Sequence, residues 1–282
     1  MNGLPLPVAL LMKADDFIRS VIARWGAVRD ELLFALTADA DRAEINARVN
    51  AVDPLFPPSS EWFRAGLTPW EASAIDEAAL RSGATVLVGG AGAGREIVAL
   101  SARGYRVLGF DPNEALVRLG DALVRDAGGR ACVGEYADVI EFAERNTGRL
   151  AGLLQGTHID CVFMSWGSLS YVPGDQRVRL FRAWRTLAPH APLITSFPTF
   201  PPAPAWQAHG VRGRPFLGRL LWAHARGRWP DPGERFYPRV GFSTHVDSDV
   251  LADLAAESGY GVDFIRLPQY AHALLRPARA DR

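Results

Sequence analysis

The stretch Val86–Asn113, "VLVGGAGAGREIVALSARGYRVLGFDPN", constrains the fold of this chain more than any other. An apolar run over Thr85–Val88 enters a glycine-crowded turn. An amphipathic segment, Arg95–Arg103, follows, and a second apolar run, Arg106–Phe110, closes on Asp111. Runs rich in Val, Leu and Phe without polar alternation are what a strand buried on both faces requires. A strand, a tight turn, a helix and a second strand make a βαβ unit, whose strands are parallel.

The pattern continues. Further strands are expected at Ala131–Val133, Ile159–Met164 and Leu193–Phe197, with helices at about Asn113–Asp126, Ala137–Arg145 and Gln176–Leu187 between them. Near the end, Ser248–Ser258 reads as a helix. "GVDFIRL" and "YAHALLR" read as two strands joined by a tight Pro-Gln turn, which forces them antiparallel. The expected fold is α/β, a three-layer Rossmann-like sandwich. Its sheet is seven-stranded and mostly parallel, with an antiparallel closing hairpin.

Residues 1–82 carry a different texture and read as an N-terminal helical cap on a domain of residues 83–282. Phe17, Val21, Ile22, Trp25, Val28, Leu32 and Leu36 recur at three- and four-residue spacings, an amphipathic stripe. "DADRAEINARVNAV" suggests a second helix, ended by "DPLFPPSS". The strongest local signature is "TPWEASAIDEAALRSG": Thr68 as N-cap, Pro69 at the first helical position, Glu71 completing a capping box and Gly83 as the stop. Residues 198–240 interrupt the βα alternation with a segment dense in Pro, Trp and Arg. It is expected to form a lid that, with the N-terminal helices, closes over a bound molecule.

Composition excludes several classes. A chain of 282 residues, 48% hydrophobic and 22% charged, is that of a soluble globular protein. Zero formal net charge leaves no broad footprint for nucleic acid or an anionic membrane. Of 31 basic residues only Lys13 is lysine, so an arginine here is weaker evidence of anion recognition than usual. Cys132 and Cys161 are too few for a disulfide framework and suit a reducing cytoplasm. The apolar N-terminal run is short and broken by prolines, so neither a membrane span nor a signal peptide is expected. No Cys/His spacing suggests zinc or another metal.

A glycine-rich turn between strand and helix lets a ligand approach the backbone closely. The dinucleotide fingerprint is Gly-x-Gly-x-x-Gly. Here the spacing is Gly90-x-Gly92-x-Gly94, and the position that fingerprint wants small is Arg95, a residue expected to pack badly against the strand.

With that spacing the sequence resembles the class I S-adenosylmethionine-dependent methyltransferases. "VLVGGAGAGRE" is similar to their first motif and "VLGFDPN" to their second, with Asp111 as the ribose-binding acid. "CVGEYADV" resembles the third, where Glu135 or Asp138, Glu135 before Asp138, meets the adenine amino group. "IDCVFMSWGSLSYVP" and "RLFRAWRTLAPHAPLITSF" resemble the fourth and fifth strand segments. The resemblance implies S-adenosyl-L-methionine bound by Gly90, Gly92, Gly94, Asp111, Glu135 and Trp166. It also separates the two cysteine strands by two others. One departure stands out: the family carries an acid two positions before its first motif glycine, and here that residue is Val88.

Methyl transfer needs alignment and water exclusion more than an acid or base. If a base is used, His245 is the first candidate and His209 the second; both lie in or beside the expected lid. Ser165, Ser168 and Tyr171, in the loop after the fourth strand, could orient a substrate. The resemblance thus implies a cytoplasmic enzyme transferring methyl to a small-molecule acceptor, oxygen before nitrogen, with no nucleic-acid or membrane partner; a homodimer is compatible with it. Two alternatives stay open: an NAD(P)-dependent oxidoreductase, and a non-catalytic binding subunit on the same fold.

Overall fold

The structure, a computed structural model, describes residues 6–164, 166–197, 234–237, 241–244, 246–266 and 271–278. Four helices come first: α1 (Leu6–Leu36), α2 (Asp39–Ala51), α3 (Glu61–Ala65) and α4 (Pro69–Glu77). There follow β1 (Thr85–Gly89), α5 (Arg95–Ala102), β2 (Arg106–Asp111), α6 (Glu114–Asp126), β3 (Arg130–Val133), α7 (Tyr136–Arg145) and α8 (Ala151–Leu154). Next come β4 (Cys161–Met164), a 3-10 turn at Ser168–Tyr171, α9 (Gly174–Leu187) and β5 (Leu193–Phe197). The described chain ends with β6 (Glu234–Tyr237), β7 (Gly241–Thr244), α10 (Ser248–Glu257), β8 (Tyr260–Arg266) and β9 (Ala271–Pro277).

The main sheet has seven strands in the order β3-β2-β1-β4-β5-β9-β8. The first five are parallel, with Val88 of β1 opposite Gly109 of β2 and Phe163 of β4. β9 enters antiparallel to both β5 and β8, the expected closing hairpin. Cys132 on β3 and Cys161 on β4 are separated by β2 and β1, and both are free thiols. The order in which strands are added reverses between β1 and β4, and the crevice at the strand ends there is where open α/β sheets take ligands.

Each face of the sheet buries its own apolar set. Val86 and Val88 pack with Ile75 of α4, Ile97 and Leu100 of α5 and Val124 of α6. Leu87 faces the other side, with Val139 and Phe142 of α7, Phe181 and Trp184 of α9 and Leu251 of α10. Trp184 is fully buried there. Loss of so large a ring costs about 3–5 kcal/mol in comparable cores.

Local signals set several boundaries. Thr68 Oγ1 accepts from Glu71 N and Glu71 Oε2 accepts from Thr68 N, the reciprocal cap read from the sequence. Asn113 caps α6 by accepting from Leu116 N. The stop of α4 is corrected: the helix ends at Glu77, not at Gly83, and Ala79 turns the chain with φ of 51°. Arg276, on β9, donates from Nη2 to the Glu77 carbonyl at 3.2 Å, so a distant strand satisfies the helix end.

Two features depart from the expected pattern. The α1 stripe is exposed among the described residues: Phe17, Ile22 and Trp25 are each about two-thirds accessible. The 198–240 segment contains an unforeseen strand, β6, which pairs antiparallel with β7 in a separate two-stranded sheet. The rest of that segment lies outside the described residues.

α6 carries a mid-helix glycine. A Cβ at Gly120 would stand 1.8 Å from the Ala93 carbonyl oxygen, so the glycine loop lies directly on the helix backbone there. Glycine costs a helix interior about 1 kcal/mol relative to alanine, and the close approach accounts for its presence.

Candidate functional site

A cavity of about 480 Å³ opens at the carboxyl ends of β1, β2 and β4. The glycine loop forms its floor, together with Asp111, Pro112 and Asn113 from the end of β2. Glu135 and Tyr136, after β3, form one wall. Trp166, Ser168 and Tyr171, after β4, form another. The roof comes from α2, α3 and the segment between them, with Asn46, Asn50, Phe56 and Trp62, joined by Phe242, Ser243 and Thr244 of β7.

The loop consumes its own amides. Gly90 N and Ala91 N both donate to the Phe110 carbonyl at 3.0 Å, and Gly94 N donates to Ala91 O at 2.8 Å. Gly92 N donates to Asp111 Oδ2 at 2.8 Å, while Asn113 N donates to Oδ1 at the same distance. Asp111 therefore ties the loop to the end of β2. Burial pushes its carboxyl up to about 6, against the two amide bonds, and the nearby Glu96 charge adds to the rise.

Gly90 and Gly92 line the cavity, as do Asp111, Glu135 and Trp166. Gly94 is not among the residues that line the cavity. It stands at the N-cap of α5 with φ of 89°, and a Cβ there would meet Val124 Cγ2 at 2.3 Å. Its role is packing α5 against α6. Glu135 and Asp138 form a reciprocal capping box, in which Asp138 Oδ2 accepts from Glu135 N at 2.7 Å, and of the two only Glu135 lines the cavity. His245 and His209, the base candidates, lie outside the described residues, as does Ser165; Ser243 and Thr244, just before His245, line the cavity.

Arg95 does not pack against the strand as expected. It turns to the N-terminal helices, donating from Nη1 to Glu71 Oε2 at 2.8 Å and from Nη2 to Glu71 Oε1 at 2.6 Å. It also bonds the Gly66 carbonyl, and Nη2 reaches Glu96 Oε1 at 2.6 Å. The guanidinium lies 4.6 Å from the centroid of the Trp62 ring, which in turn meets Trp166 edge-on at 4.3 Å. Burial and the Glu96 charge raise the Glu71 carboxyl above its ordinary range, opposed by Arg95 and the Thr68 amide.

The roof is latched by two asparagines. Asn46 Oδ1 accepts from Phe242 N at 2.6 Å and its Nδ2 donates to Phe242 O at 2.9 Å. Asn113 Nδ2 donates to the Ala47 carbonyl at 2.7 Å, holding α2 over the end of β2. Trp166 holds φ of 51°, an uncommon left-handed conformation for a bulky residue. Tyr136 donates to Ser168 Oγ at 2.8 Å, and burial pushes the Tyr171 hydroxyl up to about 12, opposed by a hydrogen bond with Asn50.

The N-terminal helices were expected to close over a bound molecule, but the sequence did not single out which of their residues do so. Asn46 and Asn50 sit in an ordinary amphipathic segment, and Phe56 and Trp62 flank prolines that read only as a helix stop. Aromatic residues in a Pro-rich break ahead of a ligand loop were the one available signal.

In fold the chain is similar to solved structures of SAM-dependent methyltransferases. Among solved structures it is similar to a SAM-dependent methyltransferase from Methanosarcina mazei, with 19% identity over 76% of this chain and 100% of the other at a TM-score of 0.51. It is also similar to the PH0226 protein of Pyrococcus horikoshii OT3 (16% identity, 82% of this chain, 98% of the other, TM-score 0.56). The DhpI–SAH complex aligns over 86% of this chain and 100% of the other at 17% identity, TM-score 0.50. No protein-family model and no curated protein matches the chain.

Proposed function

We propose that the chain is an S-adenosylmethionine-dependent methyltransferase acting on a small-molecule acceptor, oxygen before nitrogen. The observation that carries this reading is the charge of the cavity wall. Among the described lining residues, Glu96, Asp111, Glu135 and Asp175 outnumber Arg42 and Arg95, with Arg95 bonded to both Glu71 and Glu96. An acidic wall favours a cationic ligand and opposes a dinucleotide pyrophosphate. The loop points the same way, because four of its amides are spent internally and do not face an anion.

The residues fit such a cofactor. Asp111, fixed by two backbone amides, retains lone pairs for ribose hydroxyls. Glu135 is placed at the cavity edge for the adenine amino group. Trp166 and Trp62 form an aromatic wall that excludes water. When bound, S-adenosylmethionine supplies an electrophilic sulfonium methyl group for in-line displacement. The protein's own contribution is alignment and desolvation, for which no acid–base residue is obligatory.

Tyr171 keeps its proton at neutral pH and therefore acts as a hydrogen-bonding group toward the acceptor rather than as a base. The loop after β4, Ser165-Trp166-Gly167, lacks the (Asp/Asn)-Pro-Pro-aromatic motif of amino-directed nucleic-acid and protein methylases.

Calorimetric titration with S-adenosylhomocysteine and with NAD tests the reading. Binding of the first alone, weakened by Asp111→Ala, supports it. Binding of NAD alone points to an oxidoreductase, and binding of neither to a non-catalytic subunit.

A further inference from the structure

The acid that the resembling family carries before its first glycine is absent here, and the structure shows that position 88 could not serve in any case. Val88 is fully buried among Ile75, Ile97 and Phe163, and it does not line the cavity. The amino-acid portion of a nucleoside cofactor must then find its anchor elsewhere.

Glu96 stands in the first turn of α5, two residues beyond the loop. It is only 5% exposed, yet it lines the cavity. Its Oε1 accepts from Arg95 Nη2, but that guanidinium already forms a two-pronged bond with Glu71. Glu71 and Glu96 thus both bond Arg95, and the Asp111 carboxylate is also buried nearby. A carboxylate held at a cavity wall attracts a cationic ligand group more strongly the less water surrounds it.

We propose that Glu96 accepts hydrogen bonds from the α-ammonium group of the cofactor, doing from the helix what the missing acid at position 88 would do from the strand. This rests on the methyltransferase reading of the cavity. An ammonium, unlike a sulfonium, donates hydrogen bonds, so the contact is a charge-assisted one and specific to that end of the ligand.

The test is a cycle between the protein and the ligand. Wild type and Glu96→Gln are each titrated with S-adenosylhomocysteine, with its deamino analogue and with 5′-methylthioadenosine, which lacks the amino-acid portion altogether. Wild type is expected to bind the deamino analogue roughly 10- to 100-fold more weakly than S-adenosylhomocysteine, the range of one charge-assisted bond. In Glu96→Gln that discrimination is expected to fall within about threefold. Affinity of the variant for 5′-methylthioadenosine should stay within about twofold of wild type, which also reports an intact nucleoside site.

Equal weakening of all three ligands by Glu96→Gln, or wild type that binds the deamino analogue as well as S-adenosylhomocysteine, overturns the assignment of Glu96 while leaving the cofactor reading standing. Wild type that binds none of the three overturns both. The wild-type comparison needs no variant, so a Glu96→Gln protein that fails to fold leaves the proposal open to refutation.

Discussion

Arg95 and Glu71 meet across the junction between the N-terminal helices and the sheet, joined by hydrogen bonds of 2.8 and 2.6 Å, with both side chains nearly inaccessible. One belongs to the helix that follows the glycine loop, the other to the capping box of α4. Their bond fixes the cavity floor to the elements that carry its roof.

Removing one partner strands the other. Glu71→Ala leaves a buried guanidinium short of a counter-charge, and Arg95→Ala removes the cation that two buried carboxylates share. Each is expected to lower unfolding stability by about 3–5 kcal/mol. Because Glu96 also bonds Arg95, the double variant Glu71→Ala with Arg95→Ala should lose less than the sum of the two single losses without regaining wild-type stability. Urea denaturation of the four proteins measures this, and additive losses would contradict it.

Asp111 gives the fold a pH signature. Its native pKa of about 6 lies above the ordinary 3.8, so the folded chain holds this proton more tightly than the unfolded one. The resulting contribution to stability is full below about pH 4 and is lost as pH rises through about 6. Relative to Asp111→Asn, wild type should therefore lose stability between those limits, by on the order of a few kcal/mol. On the proposed reading, ribose hydroxyls donate to the ionised carboxylate. Affinity for S-adenosylhomocysteine should then fall toward tenfold per unit below about pH 6 in wild type and stay flat in the variant.

The Asn46 latch is expected to act as a gate. Asn46→Ala leaves the Phe242 amide and carbonyl without their side-chain partner, at a cost of about 1–3 kcal/mol. Hydrogen exchange at the Phe242 amide should accelerate while amides of β1 and β4 keep their protection. Acceleration spread evenly over the sheet would mean that the latch serves global stability instead.

At position 166 the backbone and the side chain can be separated. A φ of 51° costs a non-glycine residue roughly 1–2 kcal/mol, so Trp166→Gly should be more stable than Trp166→Ala by about 1 kcal/mol. Both should bind S-adenosylhomocysteine more weakly than wild type, because the wall facing Trp62 is gone. Thermal melts and titrations of the pair check the two halves separately.

The legible parts of this fold are those that neighbours in sequence determine. The capping box at Thr68–Glu71 and the buried strands were readable because their causes lie within a few residues. What stayed hidden depends on partners far along the chain. α4 ends where Arg276 meets its carbonyl, 199 residues away. The roof is set by Asn46 finding Phe242, 196 residues on. Arg95 was legible as a misfit to the dinucleotide pattern, but not its destination, since nothing local ties it to Glu71. Gly94 was read as a ligand contact because spacing alone does not distinguish a glycine that faces a cavity from one that admits a neighbouring helix.

The contact between Gly120 and the Ala93 carbonyl has a consequence for how this chain can vary. Many side chains along the surface of α6 can change at little cost, but at position 120 a single methyl group would lift the loop from its seat and displace the floor of the cavity. The site's least tolerant position is thus a helix residue that does not itself line the cavity. Random mutagenesis selected for ligand binding should return glycine there as firmly as at Gly90 or Gly92.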